Sequence, residues 1–377
     1  MTGQSAAGGG ETQRDGDDHG DGQEGGDGDP QRCGGADARP GTTAPGRPRA
    51  PRQPGRPDVF TFGETMVALR GSGPLKLGGT MQVSIAGAES NVAIGLARLG
   101  HEVHWAGAVG EDEAGELVLR TLRAEGVEVS GASADPGAPT GLLLFEPRLP
   151  DVTRVHYYRA GSAGSRLTAD GIERAFRAAP PRILHLTGIT PALSSTARSA
   201  ALHSLRLARE YGSSVCLDVN FRARLWTAEE AAAVLGEWLP SVDLLIASDD
   251  ELLLCLPPRD AGGGSAAGIA SQAGRLRELG VGEIVVTLGA EGAMAFTHDG
   301  SLHRSAKAVR AVDSVGAGDA FAAGYLSALL DGDGPAACLE RAVTTGAFAV
   351  ASPGDWEGAP TRAELGMLGA PPGTVVR

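Results

Sequence analysis

The run Val312-Asp313-Ser314-Val315-Gly316-Ala317-Gly318-Asp319-Ala320-Phe321 places three small residues directly before an acidic one. Small residues let a backbone approach a ligand closely. If they open a helix, the free N–H groups of Gly316, Ala317 and Gly318 and the positive end of the helix dipole form a hole for an anion. A carboxylate at Asp319 is out of place beside an anion unless it serves as a base. Phosphoryl transfer needs both features, because it asks a protein for positioning, charge stabilisation and a proton acceptor near the nucleophile. An N-capping turn, with Asp319 satisfying first-turn amides, explains the same residues. The segment alone does not choose between the two.

Other residues group by spacing. Asp218, Asn220 and Arg222 follow the apolar run Val215-Cys216-Leu217 at i, i+2 and i+4, so an extended chain turns all three to one face. Tyr157 and Arg159 share the two-residue spacing and point together in the same way. Two arginines with a tyrosine suit a carboxylate better than a neutral sugar. Solvated surface charge and a half-buried tyrosine are the plainer alternative. The chain has no G-x-x-x-x-G-K-[ST] run and no G-x-G-x-x-G after its first strand, so phosphate is not held by a P-loop or a dinucleotide turn.

These residues must be positioned by a scaffold, and the pattern around them is an alternation of short apolar runs with helix-like stretches. Strands are expected at 59–63, 102–109, 183–186, 215–219, 244–247, 284–288 and 308–312. Helices are expected at 91–99, 115–125, 266–279 and 320–330. Such alternation predicts an α/β fold of three layers, αβα, with a mostly parallel central sheet. Residues 66–85 and 140–159 break the rhythm with short alternating patterns and no adjacent long helix, which suits a small β-sheet projecting as a lid.

Before Asp58 the composition is different. Residues 1–57 contain no Val, Leu, Ile, Phe, Tyr or Trp, so nothing there can be buried to offset the entropy of ordering, and a disordered tail is expected. Residues 1–37 hold nine acidic and two basic side chains, and residues 38–57 hold five arginines and no acid. The basic half could meet a polyanion; a dispensable tail is the simpler reading. A single large domain at 58–370 and a short tail at 371–377 complete the expected organisation. The net charge of −13 disfavours nucleic acid and membrane surfaces as partners. The four cysteines lack metal-site or disulfide-scaffold spacing, and neither a secretory leader nor an 18-residue apolar stretch is present, so a cytoplasmic protein is expected.

Residues 313–321 resemble the C-terminal signature D-[ST]-[TV]-G-A-G-D-[AS]-F of the ribokinase-like (PfkB) carbohydrate kinases. The stretch Ala86-Gly87-Ala88-Glu89-Ser90-Asn91-Val92-Ala93-Ile94-Gly95 through Gly100, followed by Gly107-Ala108-Val109-Gly110-Glu111-Asp112, resembles that family's N-terminal signature. The likeness spans Asp58 to about Leu368. It implies a ribokinase-like fold, ATP and Mg²⁺ as cofactors with a K⁺ requirement left open, and a homodimer paired through the lid. It also implies Asp319 as base with Gly316, Ala317 and Gly318 at the phosphoryl group, and Asn220, Gly289, Gly292, Gly316 and Gly318 at the nucleotide. Gly87 and Asn91 fall at the sugar. Glu251, in Ser248-Asp249-Asp250-Glu251, matches the family's N-x-x-E element near the metal, although Ser248 replaces Asn.

Residues 157–165, 218–226 and 354–358 look like segments of the 2-keto-3-deoxygluconate kinase branch, which implies Tyr157, Arg159, Arg222 and Asp355 as contacts to the sugar acid. Leu143 departs from the branch, where a tyrosine often follows the Thr-Gly pair. A neutral-sugar or nucleoside kinase, and a non-catalytic sensor on the same fold, are the other readings.

Overall fold

The computed structural model describes residues 56–149, 152–256, 266–369 and 374. The expected tails at 1–57 and 371–377 lie outside the described residues except for Arg56, Pro57 and Thr374. Arg56 donates to Pro181 O at 2.8 Å and to Gly212 O at 3.1 Å, so ordered contacts begin before Asp58.

In chain order the elements are Val59–Phe62 (β1), Met66–Gly71 (β2), Met81–Ala86 (β3), Ala88–Arg98 (α1), Val103–Ala106 (β4), Ala108–Gly110 (β5), Glu113–Ala124 (α2) and Ser133–Asp135 (β6). Leu142–Leu149 (β7), Val152–Tyr158 (β8), Ala169–Ala178 (α3), Ile183–Thr187 (β9), Thr190–Leu193 (α4), Ser195–Tyr211 (α5), Ser214–Asp218 (β10) and Ala228–Trp238 (α6) follow. The last group is Leu244–Ser248 (β11), Ala266–Glu278 (α7), Glu283–Thr287 (β12), Ala293–Thr297 (β13), Gly300–Arg304 (β14), Ala317–Asp331 (α8) and Pro335–Val350 (α9).

The main sheet runs β14-β13-β12-β11-β10-β9-β1-β4; β12, β13 and β14 are antiparallel neighbours and the other pairs are parallel. Its parallel strands are mostly apolar on both faces, as a sheet covered on both sides requires, while edge strand β14 is exposed. Phe60, Leu184, Leu217 and Val286 pack on one face against Phe176 of α3, Leu205 of α5, Trp238 of α6 and Leu276 of α7. Val59, Ile183, Leu244 and Val285 pack on the other against Leu96 of α1, Leu122 of α2, Tyr325 of α8 and Leu339 of α9. The alternation is the two-residue period of a strand divided between two cores, which makes the three layers. Phe176 meets Phe60 edge-on at 5.4 Å, and burying a side chain of this size contributes on the order of 1.5–3 kcal/mol.

A second sheet, ordered β3-β2-β7-β8, is formed from the two segments that break the α/β rhythm. β5 and β6 pair separately. Asp112 caps α2 by accepting from Gly115 N at 2.7 Å, and it also accepts from Thr140 N at 2.9 Å, which ties the start of α2 to the chain entering β7.

The strand expected at 308–312 is absent. That segment is mostly exposed and, among the described residues, its Val312 N donates not to a strand but to Val350 O at the end of α9, at 2.8 Å. The extended run expected at 102–109 divides into β4, which joins the main sheet, and β5, which does not.

Candidate active site

A cavity of about 1370 Å³ opens at the carboxyl ends of β9 to β12, beneath the small sheet. In parallel sheets this edge is where ligands bind. Pockets for one small ligand usually measure about 300–1,000 Å³, so this one has room for two substrates side by side.

Asp319 lines the cavity from the first turn of α8 and is 7% exposed. Asn91, in the first turn of α1, donates Nδ2 to Asp319 Oδ2 at 2.7 Å, and Asn220 donates Nδ2 to Oδ1 at 3.3 Å. Both amides therefore grip the carboxylate from residues far away in the chain. Burial pushes the Asp319 carboxyl up to about 7, against the Asn91 hydrogen bond and the Arg222 charge, while Asp355 and Glu89 push it up further.

A base has to be ionised before it can accept a proton, so a group with this pKa is active only above it. kcat/KM is expected to climb with pH through about 7 and then level off. A pH–rate profile checks this, and a flat profile across neutrality would deny Asp319 the part of base.

Gly316 caps α8 in the left-handed region, at φ 73° and ψ −2°. The N–H of Ala317 turns back to Ser314 O at 3.3 Å, and Ala317 does not line the cavity. Gly316 and Gly318 do line it, and among the described residues neither N–H has an acceptor. The amide hole expected of three residues thus reduces to the two glycines, because the capping turn spends the amide between them.

The strand expected to carry Asp218, Asn220 and Arg222 on one pleated face ends at Asp218. Asn220 has φ 40°, the one non-glycine residue at positive φ among those described. A left-handed asparagine is unusual and tends to mark a functional turn. The three side chains reach one cavity through this turn and not through the pleat. Arg222 is exposed and, among the described residues, donates only to Phe221 O, at 3.2 Å.

Glu251 follows β11 and is held by two backbone amides, Phe221 N at 2.7 Å and Ser248 N at 3.0 Å. Asp218 is pushed well up, first by burial and then by the Glu251 and Asp319 charges. Among the described residues no cluster of three or more His, Cys, Asp or Glu could cage a metal. Mg²⁺ needs no such cage, since it keeps waters and takes one or two carboxylates together with substrate phosphates. Asp218 and Glu251 fit that arrangement: a buried carboxyl crowded by two others is one that a cation would relieve.

Tyr157 and Arg159 do come together, the guanidinium carbon lying 5.8 Å from the ring centre. Arg159 is already engaged, however. Its Nε donates to Glu64 Oε2 at 2.6 Å, its Nη2 pairs with the same oxygen, and Ser162 Oγ donates to the other. Glu64 is 3% exposed and went unmarked in the sequence, because its partners lie 95 and 98 residues away. Leu143 faces Tyr157 across the β7–β8 ladder and presents hydrocarbon to the cavity. Gly87 and Asp355 also line it. Asp355 is pushed up to about 6 by burial, opposed by Arg70.

Gly289 and Gly292 do not reach the cavity wall. They form the turn between β12 and β13, where a Cβ on Gly292 would lie 1.9 Å from Arg304 O. That glycine is accounted for by backbone packing.

Residues 56–362 match the model of the pfkB family carbohydrate kinases. The 2-dehydro-3-deoxygluconokinase of Bacillus subtilis (strain 168) is 36% identical over 322 residues, covering 82% of this chain and 94% of that one. The enzyme of the same name from Thermoproteus tenax is 35% identical over 317 residues, covering 82% and 93%. The crystal structure of 2-dehydro-3-deoxygluconokinase from Thermotoga maritima superposes with a TM-score of 0.75 at 27% identity, covering 83% of this chain and 98% of that one.

Proposed function

This chain belongs to the pfkB family of carbohydrate kinases, and we propose that it moves the γ-phosphate of ATP to a hydroxyl of a 2-keto-3-deoxy sugar acid, 2-keto-3-deoxygluconate first. The relatives' names use 2-dehydro for the same 2-keto group. The observation that carries the reading is the cavity itself, whose lining brings Asp319 and the free amides of Gly316 and Gly318 together with Arg222, Arg159 and Tyr157.

In this reading Asp319 takes the hydroxyl proton as the substrate oxygen bonds to the γ-phosphorus. The bond from that phosphorus to the β,γ-bridging oxygen breaks, and ADP leaves with the electron pair. The Gly316 and Gly318 amides, at the positive end of α8, receive the charge of the transferring group. Asn91 and Asn220 aim the base. Mg²⁺, when bound, neutralises phosphate charge, and Asp218 and Glu251 are the side chains able to hold it. Arg222 and Arg159 face the substrate carboxylate, and Asp355 and Gly87 lie at the sugar. A K⁺ requirement, a cytoplasmic location and a homodimer paired through the small sheet as lid belong to the same reading. Exposed Met81 and Val83, two apart on β3, support the pairing, which sedimentation would test; exchanging K⁺ for choline would test the ion.

The deciding experiment is ATP turnover against 2-keto-3-deoxygluconate, its galacto epimer, fructose, ribose and adenosine. Turnover confined to the acids supports the proposal, and preference for a neutral acceptor removes the arginines as carboxylate ligands. Arg222→Ala sharpens the test. It should raise KM for the acid by about 10- to 100-fold, the loss of one charge-assisted contact of roughly 1.5–3 kcal/mol, and leave KM for a neutral sugar unchanged. Arg159→Ala is a poorer probe, because it strands the buried Glu64 carboxylate at a cost of about 3–5 kcal/mol.

A further inference from the structure

Arg70 stands on β2 of the small sheet, outside the cavity wall, with 17% of its side chain exposed. Its Nη1 donates to Asp313 Oδ2 at 3.1 Å and its Nη2 to Asp355 Oδ2 at 2.7 Å. The guanidinium carbon lies 3.9 Å above the Phe145 ring of β7. Asp313 also accepts from Val315 N at 3.1 Å and from Gly354 N at 3.4 Å. The carbonyl oxygen of Asp355 fills the space where a Cβ on Gly316 would sit, 1.8 Å away. One guanidinium therefore joins the small sheet, the turn that carries the amide hole, and the loop at 352–357.

The charges call for such a junction. Asp313 and Asp355 flank a hole suited to an anion, and two carboxylates left bare there would repel a phosphoryl group. Arg70 pairs with both through a fork that lysine cannot reproduce, and its single positive charge offsets one of the two negative ones.

We infer that Arg70 is a positioning residue for phosphoryl transfer: through Asp313 and Asp355 it fastens the 313–318 turn to the small sheet and lessens the negative charge beside the hole. The inference rests on the reading of Gly316 to Asp319 as the transfer site, and it holds whichever acceptor that site serves.

Arg70→Met keeps a stem over Phe145 and removes the fork. kcat should fall by about 10²-fold, the size of loss that displacing a catalytic group by an ångström can cause. Arg70→Lys should recover part of the loss. Independently of turnover, hydrogen exchange in Arg70→Met should quicken at 313–318 and 352–357 while the later turns of α8 keep their protection. Slower turnover with loosening confined to those two segments supports the assignment. Unchanged kcat, unchanged exchange, or loosening throughout the sheet overturns it. Turnover is read with whichever acceptor the wild type uses, so a wrong sugar acid sinks the substrate proposal and leaves this test intact.

Discussion

Asp319→Asn is expected to lower kcat by about 10²- to 10⁴-fold, the range for losing a general base, with ATP affinity close to that of wild type. The substitution is nearly isosteric, and it removes a buried carboxyl whose charged form the site disfavours, as its pKa of about 7 records. The fold should therefore stand. Asn91 and Asn220 both donate to the present carboxylate, and an amide offers only one oxygen, so one donor loses its partner at a cost of about 1–3 kcal/mol. Steady-state kinetics alongside calorimetric nucleotide titration separates the two effects. A variant keeping a large share of wild-type kcat would remove Asp319 as base; a variant that no longer binds ATP would mean the carboxylate organises the nucleotide site instead.

Gly316→Ala attacks the other half of the chemistry, and its effect on kcat should be about 10²- to 10³-fold, comparable to losing one donor from an oxyanion hole. Two costs coincide at this residue. Its φ of 73° is strained for any side chain, and the new methyl would lie 1.8 Å from Asp355 O and 2.7 Å from Asp355 C. Backbone cannot yield as a flexible side chain does, so the turn must move and carry the free amides with it. A stability loss of about 1–3 kcal/mol should accompany the kinetic one. Gly318→Ala is the control for stability, since among the described residues its methyl would meet nothing within 4 Å beyond its chain neighbours and the nearby backbone of its own helix. If Gly316→Ala melts like wild type and turns over at wild-type speed, the left-handed cap is not what shapes the hole.

Much of the body was legible because parallel strands covered on both faces are short apolar runs. Val215-Cys216-Leu217 and Leu244-Leu245-Ile246-Ala247 are read directly as β10 and β11. Helices α3, α4, α5, α6 and α9 escaped. α3 has two distinct faces but is only 10 residues long and marks the buried one with just Ile172 and Phe176, and α9 is rich in alanine, which blurs the contrast between its faces. The strand expected at 308–312 failed for the opposite reason: its pattern suits a strand, but no neighbouring strand pairs with it.

The site divides along the same line. By itself the sequence determined the chemistry available at the turn, since small residues, a helix start and Asp319 are contiguous, and contiguous residues carry their geometry with them. Tertiary structure decided which amides stay free, how Asn220 bends away from β10 to reach Asp319, and which charges are already spent. Arg159 meets Glu64 across 95 residues, and Arg70 meets Asp313 and Asp355 across 243 and 285. Such pairings depend on how the small sheet seats against the body, and local periodicity holds no record of that.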